Sequence, residues 1–291
     1  MGVGRRAVVA VSGPSLVILA AGRARRYGGL KQLAPIGLRG EGVIDLLACD
    51  AYSSGFDDIV IVVNPETGSQ IETHVAQHWP KDRRVAFAVQ RELRGTVEAV
   101  LAAESELDLS KPFGVSNADD LYGRRAFKML GQRLAEDPNH CLVGFELDRA
   151  LVGDLPVSRG VCLVEEGHLT QIVERKNVRR SGEAYLAEDG LEPRHLEPSA
   201  TVSMNLWGFQ PSILPLMHDC VARHDFETEK EVQLSVMVGE LLMSDHVRFD
   251  VLETDSRCIG VTHASDLPLA KELVRAEIEG GLRPECAFES I

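Results

Sequence analysis

Arg23, Arg25, Arg26 and Lys31 crowd into a short stretch that also holds Gly22, Gly28 and Gly29. Cationic side chains presented beside approachable backbone N–H groups suit a phosphorylated ligand, because both kinds of donor favour oxyanions. A second set of chemically capable residues, Asp119 and Asp120, stands at the end of the run Val115-Ser-Asn-Ala. Two adjacent carboxylates closing a buried segment are costly without compensation. A magnesium ion that keeps several waters and bridges one or two carboxylates to substrate phosphates would provide it. Side chains alternate along an extended chain, so only one of the two aspartates is expected to reach the ion. The third set is Gln90, Gly95 and Thr96. A Gln amide both donates and accepts, so it can read the edge of a nucleobase, while Gly95 admits close backbone approach and Thr96 suits a helix cap. The spacing matches neither a dinucleotide G-x-G-x-x-G nor a P-loop, since Gln32 follows Lys31 where Ser or Thr is required.

The elements that must position these residues are legible as alternating periodicities. Leu16, Val17, Ile18 and Leu19 form the uninterrupted apolar run of a strand buried on both faces, and Ala20, Ala21 and Gly22 end it abruptly. Strands are predicted at 57–63, 84–89 and 112–117, alternating with helices at 42–54, 67–78 and 96–106. Repeated βαβ units imply right-handed crossovers and a largely parallel sheet with helices on both faces, with ligands at the carboxyl ends of the strands. From residue 140 the rhythm changes. A strand at 140–147 and a hairpin over 160–175, turning at Glu166-Gly167, are expected to carry a second substrate. The stretch from Asn177 to Pro198 is charged, contains Gly182, Gly190 and Pro193, and reads as a mobile loop or insertion. A strand at 200–209, helices at 213–224 and 229–243, a strand at 247–252 and a helix at 265–279 complete the chain.

A chain of 291 residues with 44% hydrophobic content can bury one large α/β core. A net charge of −13 argues against a nonspecific nucleic-acid binder, which needs a basic face, so the basic loop stands out locally. No apolar run approaches the roughly 20 residues of a membrane span, and the segment Gly4 to Val11 is short for a secretory signal. A cytoplasmic protein is expected. Six scattered cysteines without a C-x-x-C pair read as reduced structural thiols rather than zinc ligands. The sequence carries no signal for oligomeric state.

The stretch Leu19-Ala-Ala-Gly22 with Arg26 and Lys31 resembles the L-A-A-G-x-G-x-R-x-G-x-x-K signature of the nucleoside-triphosphate transferases, the sugar-1-phosphate nucleotidyltransferase superfamily, with Ala24 in place of the usual Gly or Ser. Gln90 to Thr96 is similar to the superfamily's Q-x-x-x-x-G-T base-recognition segment. The stretch Ala118-Asp-Asp-Leu-Tyr-Gly123 is similar to G-D-N-x-Y/F-G, which places Asp119 at the metal-binding Asp. Two further stretches resemble family strands: Ile172-Val-Glu-Arg175 matches I-V-E-K-P with Arg175 at the Lys, and Val202 to Phe209 matches N-x-G-x-Y-x-F with Asn205 at the Asn.

The resemblance implies a Rossmann-like, GT-A-like α/β fold with a mixed, mostly parallel sheet, in one nucleotidyltransferase domain over 12–280. Its nucleotide half would be 12–139 and its sugar-phosphate half 140–280. It further implies NTP binding by Leu19, Ala20, Ala21, Gly22, Gln90, Gly95 and Thr96, and charge neutralisation by Arg26 and Lys31. Mg²⁺ would sit on Asp119, and a sugar 1-phosphate would be held by Glu174, Arg175 and Asn205. Gly260 falls where a second metal-binding Asp is expected, so that ligand is unassigned. A cytidylyltransferase of the methylerythritol phosphate type, a molybdopterin nucleotidyltransferase and a nucleotide-binding regulator with weak turnover share enough of the pattern to stay open.

Overall fold

The computed structural model describes residues 13–22, 29–151, 153, 155–244, 247–261 and 263–288. Its first half runs β1 (Ser15–Leu19), α1 (Val43–Tyr52), β2 (Asp58–Val63), α2 (Gly68–His78), β3 (Arg84–Val89), α3 (Thr96–Ala102) and β4 (Phe113–Asn117). Then come β5 (Asp120–Leu121), α4 (Arg124–Glu136), β6 (His140–Glu146), β7 (Val157–Glu165) and β8 (His168–Ser181). The remainder is β9 (Ala184–Leu186), β10 (His195–Leu196), β11 (Thr201–Phe209), α5 (Ile213–Arg223), α6 (Leu234–Met243), β12 (Phe249–Thr254), β13 (Ile259–Gly260) and α7 (Leu267–Glu279).

Strand β1 lies between β2 and β4, parallel to both, and β3 continues the parallel run beyond β2. Successive residues of β1 serve opposite faces. Leu16 and Ile18 pack with apolar residues of α1, α2, α4 and α7, whereas Val17 packs with those of α3, α5 and α6. This two-sided burial explains why the strand reads as a continuous apolar run rather than an alternating one. Among the described residues the sheet order is β10-β9-β8-β12-β6-β11-β4-β1-β2-β3, with β7 paired to β11 and β8. Parallel pairing is confined to β3-β2-β1-β4 and to β6 with β12. Strand β11 enters antiparallel between β4 and β6, so the two halves of the chain share one sheet. A two-stranded ribbon of β5 and β13 stands apart from it.

Two expectations are corrected. The stretch from 177 to 198 is not a structureless loop. Strand β8 continues to Ser181 and turns through β9, which pairs with β10. The anchor of this extension is Arg175, whose Nε and Nη2 donate to the Asp189 carboxylate at 2.7 and 3.0 Å, while Nη1 and Nη2 donate to the carbonyls of Pro193 and Leu191. The glycines and prolines that signal a loop here are the corners of a small antiparallel sheet. The helix expected from 229 begins instead at Leu234, because the residues before it are extended: the Val232 N–H donates to the Arg94 carbonyl, and the Val232 carbonyl accepts the Val97 N–H. Tertiary pairing overrides a favourable helical composition.

The Arg175 guanidinium holds the Asp189 carboxyl well below the usual carboxylate range. With the folded pKa below the unfolded one, near 3.9, this pair stabilises fully above about pH 4 and its contribution is lost as pH falls through the lower folded value. Asp189→Ala is expected to lower stability by roughly 2 to 3 kcal/mol at pH 7, and the difference from the unsubstituted protein should shrink in urea titrations at lower pH.

Candidate active site

A cavity of about 670 Å³ opens at the carboxyl ends of β1, β3 and β4, and its wall includes Leu19, Ala21, Gly22, Lys31, Gln90, Gly95, Thr96 and Asp119. Ala20 is buried directly behind it. The backbone where β1 ends is pinned on every side. The Leu19 carbonyl accepts the Ala118 N–H, the Ala20 N–H donates to Val62, and the carbonyls of Ala20 and Ala21 accept the side-chain amides of Gln32 at 3.1 Å and Asn64 at 2.8 Å. Gln32 and Asn64 were not singled out from sequence, since a side chain that orients a carbonyl across the fold carries no local signature. Lys31 opens a 3-10 turn and forms an ion pair with Asp119 across the cavity. Arg26, the other expected cation, lies outside the described residues.

The base-reading expectation acquires geometry. The Gln90 backbone N–H is bound by Val63 at the end of β2, and its side-chain Nε2 donates to the Gly95 carbonyl at 3.0 Å. A carbonyl can only accept, so this contact fixes the amide orientation and directs Oε1 elsewhere as an acceptor. Gly95 has φ +102°, and a Cβ there would stand 2.3 Å from the Val232 carbonyl oxygen, so no side chain fits. Thr96 is corrected. The N-cap of α3 is Gly95, and the Thr96 hydroxyl instead accepts the Leu234 N–H at 2.8 Å and donates to Gln233 at 3.2 Å, thereby capping α6. It still lines the cavity.

Beside this cavity lies a smaller chamber of about 80 Å³ lined by polar groups that include Asn117, Asp120, Arg159, Glu174, Asn205 and Ser235. Asn117 and Gln233 belong to both walls. Asp120 does not cap α4, whose N-cap is Gly123. It is buried, accepts the Asn117 amide at 2.8 Å, and has its pKa pushed up to about 6, first by burial and then by the neighbouring Asp119 charge. Gly260 is explained by the same carboxylate, since a Cβ at that position would lie 2.5 Å from Asp120 Oδ1. Glu174 accepts the Ser235 hydroxyl at 2.8 Å, and burial raises its pKa. Asn205 sits where the pairing of β11 with β6 slips, with φ +61°. Its amide bridges Asn117 at 3.4 Å and Trp207 at 3.3 Å. A left-handed non-glycine residue costs on the order of 1 to 3 kcal/mol, and Asn is among the side chains that bear it most readily. Arg175 is not brought here. Its guanidinium is committed to Asp189 on the β9–β10 extension.

A strand-end cavity thus lies next to a smaller polar chamber, and the sequence places the chain in a class of enzymes, the nucleotidyltransferases. Residues 16–196 match the model of the MobA-like NTP transferase domain, and the chain belongs to that family. No curated protein matches the sequence. Among solved structures, the fold is similar to an inositol-1-phosphate CTP transferase from T. maritima, with a TM-score of 0.67 and 15% identity over 92% of this chain and 98% of that one. It is similar also to a protein assigned as a glucose-1-phosphate thymidylyltransferase from Bacillus anthracis, with a TM-score of 0.67 and 13% identity over 90% of this chain and 95% of that one. A UDP-glucose pyrophosphorylase gives a TM-score of 0.63 and 16% identity over 91% and 99% of the two chains. Among the described residues, no helix is long and apolar enough to cross a membrane.

Gly95→Ala tests the close approach directly. The added methyl meets both a forbidden φ and the Val232 backbone, so a loss of about 1 to 3 kcal/mol in stability is expected by denaturant titration, together with weakened NTP binding by calorimetry.

Proposed function

We propose that the protein transfers a nucleotidyl group from an NTP to a sugar 1-phosphate, giving an NDP-sugar and pyrophosphate. The observation that carries this reading is the shared wall. The larger cavity is lined by Lys31, Gln90 and Asp119, the chamber by the carboxylates of Asp120 and Glu174 and the amides of Asn117 and Asn205, and the two meet at Asn117 and Gln233. An oxygen of the acceptor phosphate attacks the α-phosphorus of the NTP. The new P–O bond forms as the bond from the α-phosphorus to the bridging oxygen breaks, and pyrophosphate leaves with that electron pair. The acceptor is already ionised, so no protein base or nucleophile is needed, and catalysis reduces to aligning two anions and neutralising charge on the departing pyrophosphate. Lys31 serves that neutralisation.

The donor set fits a hydrated Mg²⁺. Asp119 is a hard carboxylate, its side chain 17% exposed on the cavity wall, and no group of three His, Cys, Asp or Glu residues suited to a metal forms among the described residues. One protein carboxylate plus substrate phosphates and water is the coordination Mg²⁺ commonly takes. When bound, such an ion would offset triphosphate charge. Asp119 would hold it and Lys31, now paired with Asp119, would turn to the phosphates.

The reading is tested by screening the four NTPs and dTTP against a panel of sugar and inositol 1-phosphates, with pyrophosphate release as readout. The panel follows the names of the three solved relatives. Absence of pyrophosphate release from every pair would remove it. Lys31→Ala is expected to lower kcat/KM about tenfold or more in a protein whose melting is unchanged. Activity should vanish in chelator and return with Mg²⁺, and Asp119→Asn should lose most turnover because a neutral amide is a poor ligand for a hard cation. Gln90→Ala should change the ranking of NTPs while leaving the KM of the acceptor near its original value.

A further inference from the structure

Arg159 lies on β7 among the chamber's lining residues, and among the described residues that line the chamber it alone is cationic. Two of its nitrogens are accounted for by backbone carbonyls, Nη1 by Ser158 at 2.8 Å and Nη2 by Ala150 at 3.1 Å. Its Nε is buried without a hydrogen-bond partner. A guanidinium N–H sealed from solvent and left unmatched costs more than a hydrogen bond contributes, so its retention calls for compensation where the rest of the side chain lines the chamber. Anionic neighbours do not meet that need. Asp120 and Glu174 feel the charge of Arg159, but Asp120 is hydrogen-bonded by Asn117 and Glu174 by Ser235.

The acceptor has a requirement that nothing else in the chamber meets. A sugar 1-phosphate brought beside a triphosphate needs a cation of its own, and Arg175 is locked to Asp189. Lys176 and Lys230 border a neighbouring groove of about 830 Å³ that meets the chamber at Ser158, Glu174 and Gln233, and Lys230 also lines the larger cavity; neither is among the residues that line the chamber itself. Two carbonyls hold the guanidinium of Arg159, which lowers the entropy lost when its remaining N–H groups meet an oxyanion.

We propose that Arg159 is the residue that binds the acceptor's phosphate, while Asp120, Glu174 and Asn205 receive the hydroxyl groups of the same molecule. This assignment rests on the transferase reading for the identity of the acceptor, and on the chamber geometry for the residue.

The test compares the unsubstituted protein with Arg159→Gln and Arg159→Lys. Arg159→Gln is expected to raise the acceptor KM about tenfold or more while the NTP KM changes less than about twofold, and Arg159→Lys should recover part of the loss by restoring charge without the fork. Equal rises in both KM values, or a fall in melting temperature with unchanged KM values, would make Arg159 a structural tie between β7 and the Ala150 turn and overturn the proposal. Inhibition by the unphosphorylated sugar should be equal in the unsubstituted and Gln proteins. If that inhibition weakens in parallel with the acceptor, Arg159 reads a hydroxyl and the phosphate assignment fails. Calorimetry with inorganic phosphate separates this inference from the wider reading. Should the protein release no pyrophosphate with any substrate pair, the transferase reading falls. Arg159 is then judged on phosphate binding alone, which must be present in the unsubstituted protein and lost in Arg159→Gln to sustain the assignment.

Discussion

A parallel strand buried on both faces leaves its backbone polar groups unpaired where it ends, and at β1 that end becomes part of the wall of the larger cavity. Every carbonyl leaving β1 is accounted for by a partner brought from elsewhere: Ala118 from the neighbouring strand end, Gln32 from the turn after the loop, Asn64 from the end of β2. Once those carbonyls are engaged, Ala21 and Gly22 are held against the cavity wall. The rest of the cavity is assembled against this fixed edge.

Charge is distributed around that edge in a way that separates the roles of two adjacent aspartates. Asp119 faces the cavity and Lys31, whereas Asp120 is buried on the other side, where Asn117 bonds it and Gly260 makes room for it. Strand β4 ends at Asn117 and the chain bends through Ala118 and Asp119 before β5 opens at Asp120, so one step of sequence separates opposite environments. Asp120 shows what the environment costs, with its pKa pushed up to about 6 by burial and by the charge next door.

The junction between the two cavities depends on β11 and on the extended lead into α6. Strand β11 inserts antiparallel between β4 and β6 and slips register at Asn205, which turns that side chain toward Asn117. The lead into α6 places Gln233 against Thr96 on one side, and the first turn of α6 places Ser235 against Glu174 on the other. Groups that face the larger cavity and groups that face the chamber are thus fastened to the same few residues.

The sequence by itself determined the local elements and the ends at which chemistry could occur. The apolar run of β1, the βαβ alternation through β4, the hairpin turning at Glu166-Gly167 and the positions of Gln90 and Asp119 just beyond strand ends all follow from periodicity, turn chemistry and charge, which are properties of neighbouring residues. Tertiary structure decided what required distant partners. It took Arg175 away to Asp189, though sequence placed it beside Glu174, because the next strand turns back and offers a carboxylate and two carbonyls. It gave the Thr96 hydroxyl to Leu234 rather than to its own helix, and it unwound the start of the helix expected at 229 by pairing Val232 with the loop before Thr96. It brought Asn64 and Arg159 to the site from segments with no motif, and it turned Gln32, next to Lys31, back onto the Ala20 carbonyl. Hydrogen-bond partners across dozens of residues are chosen by the closing of the sheet, and no local pattern of residues encodes that choice.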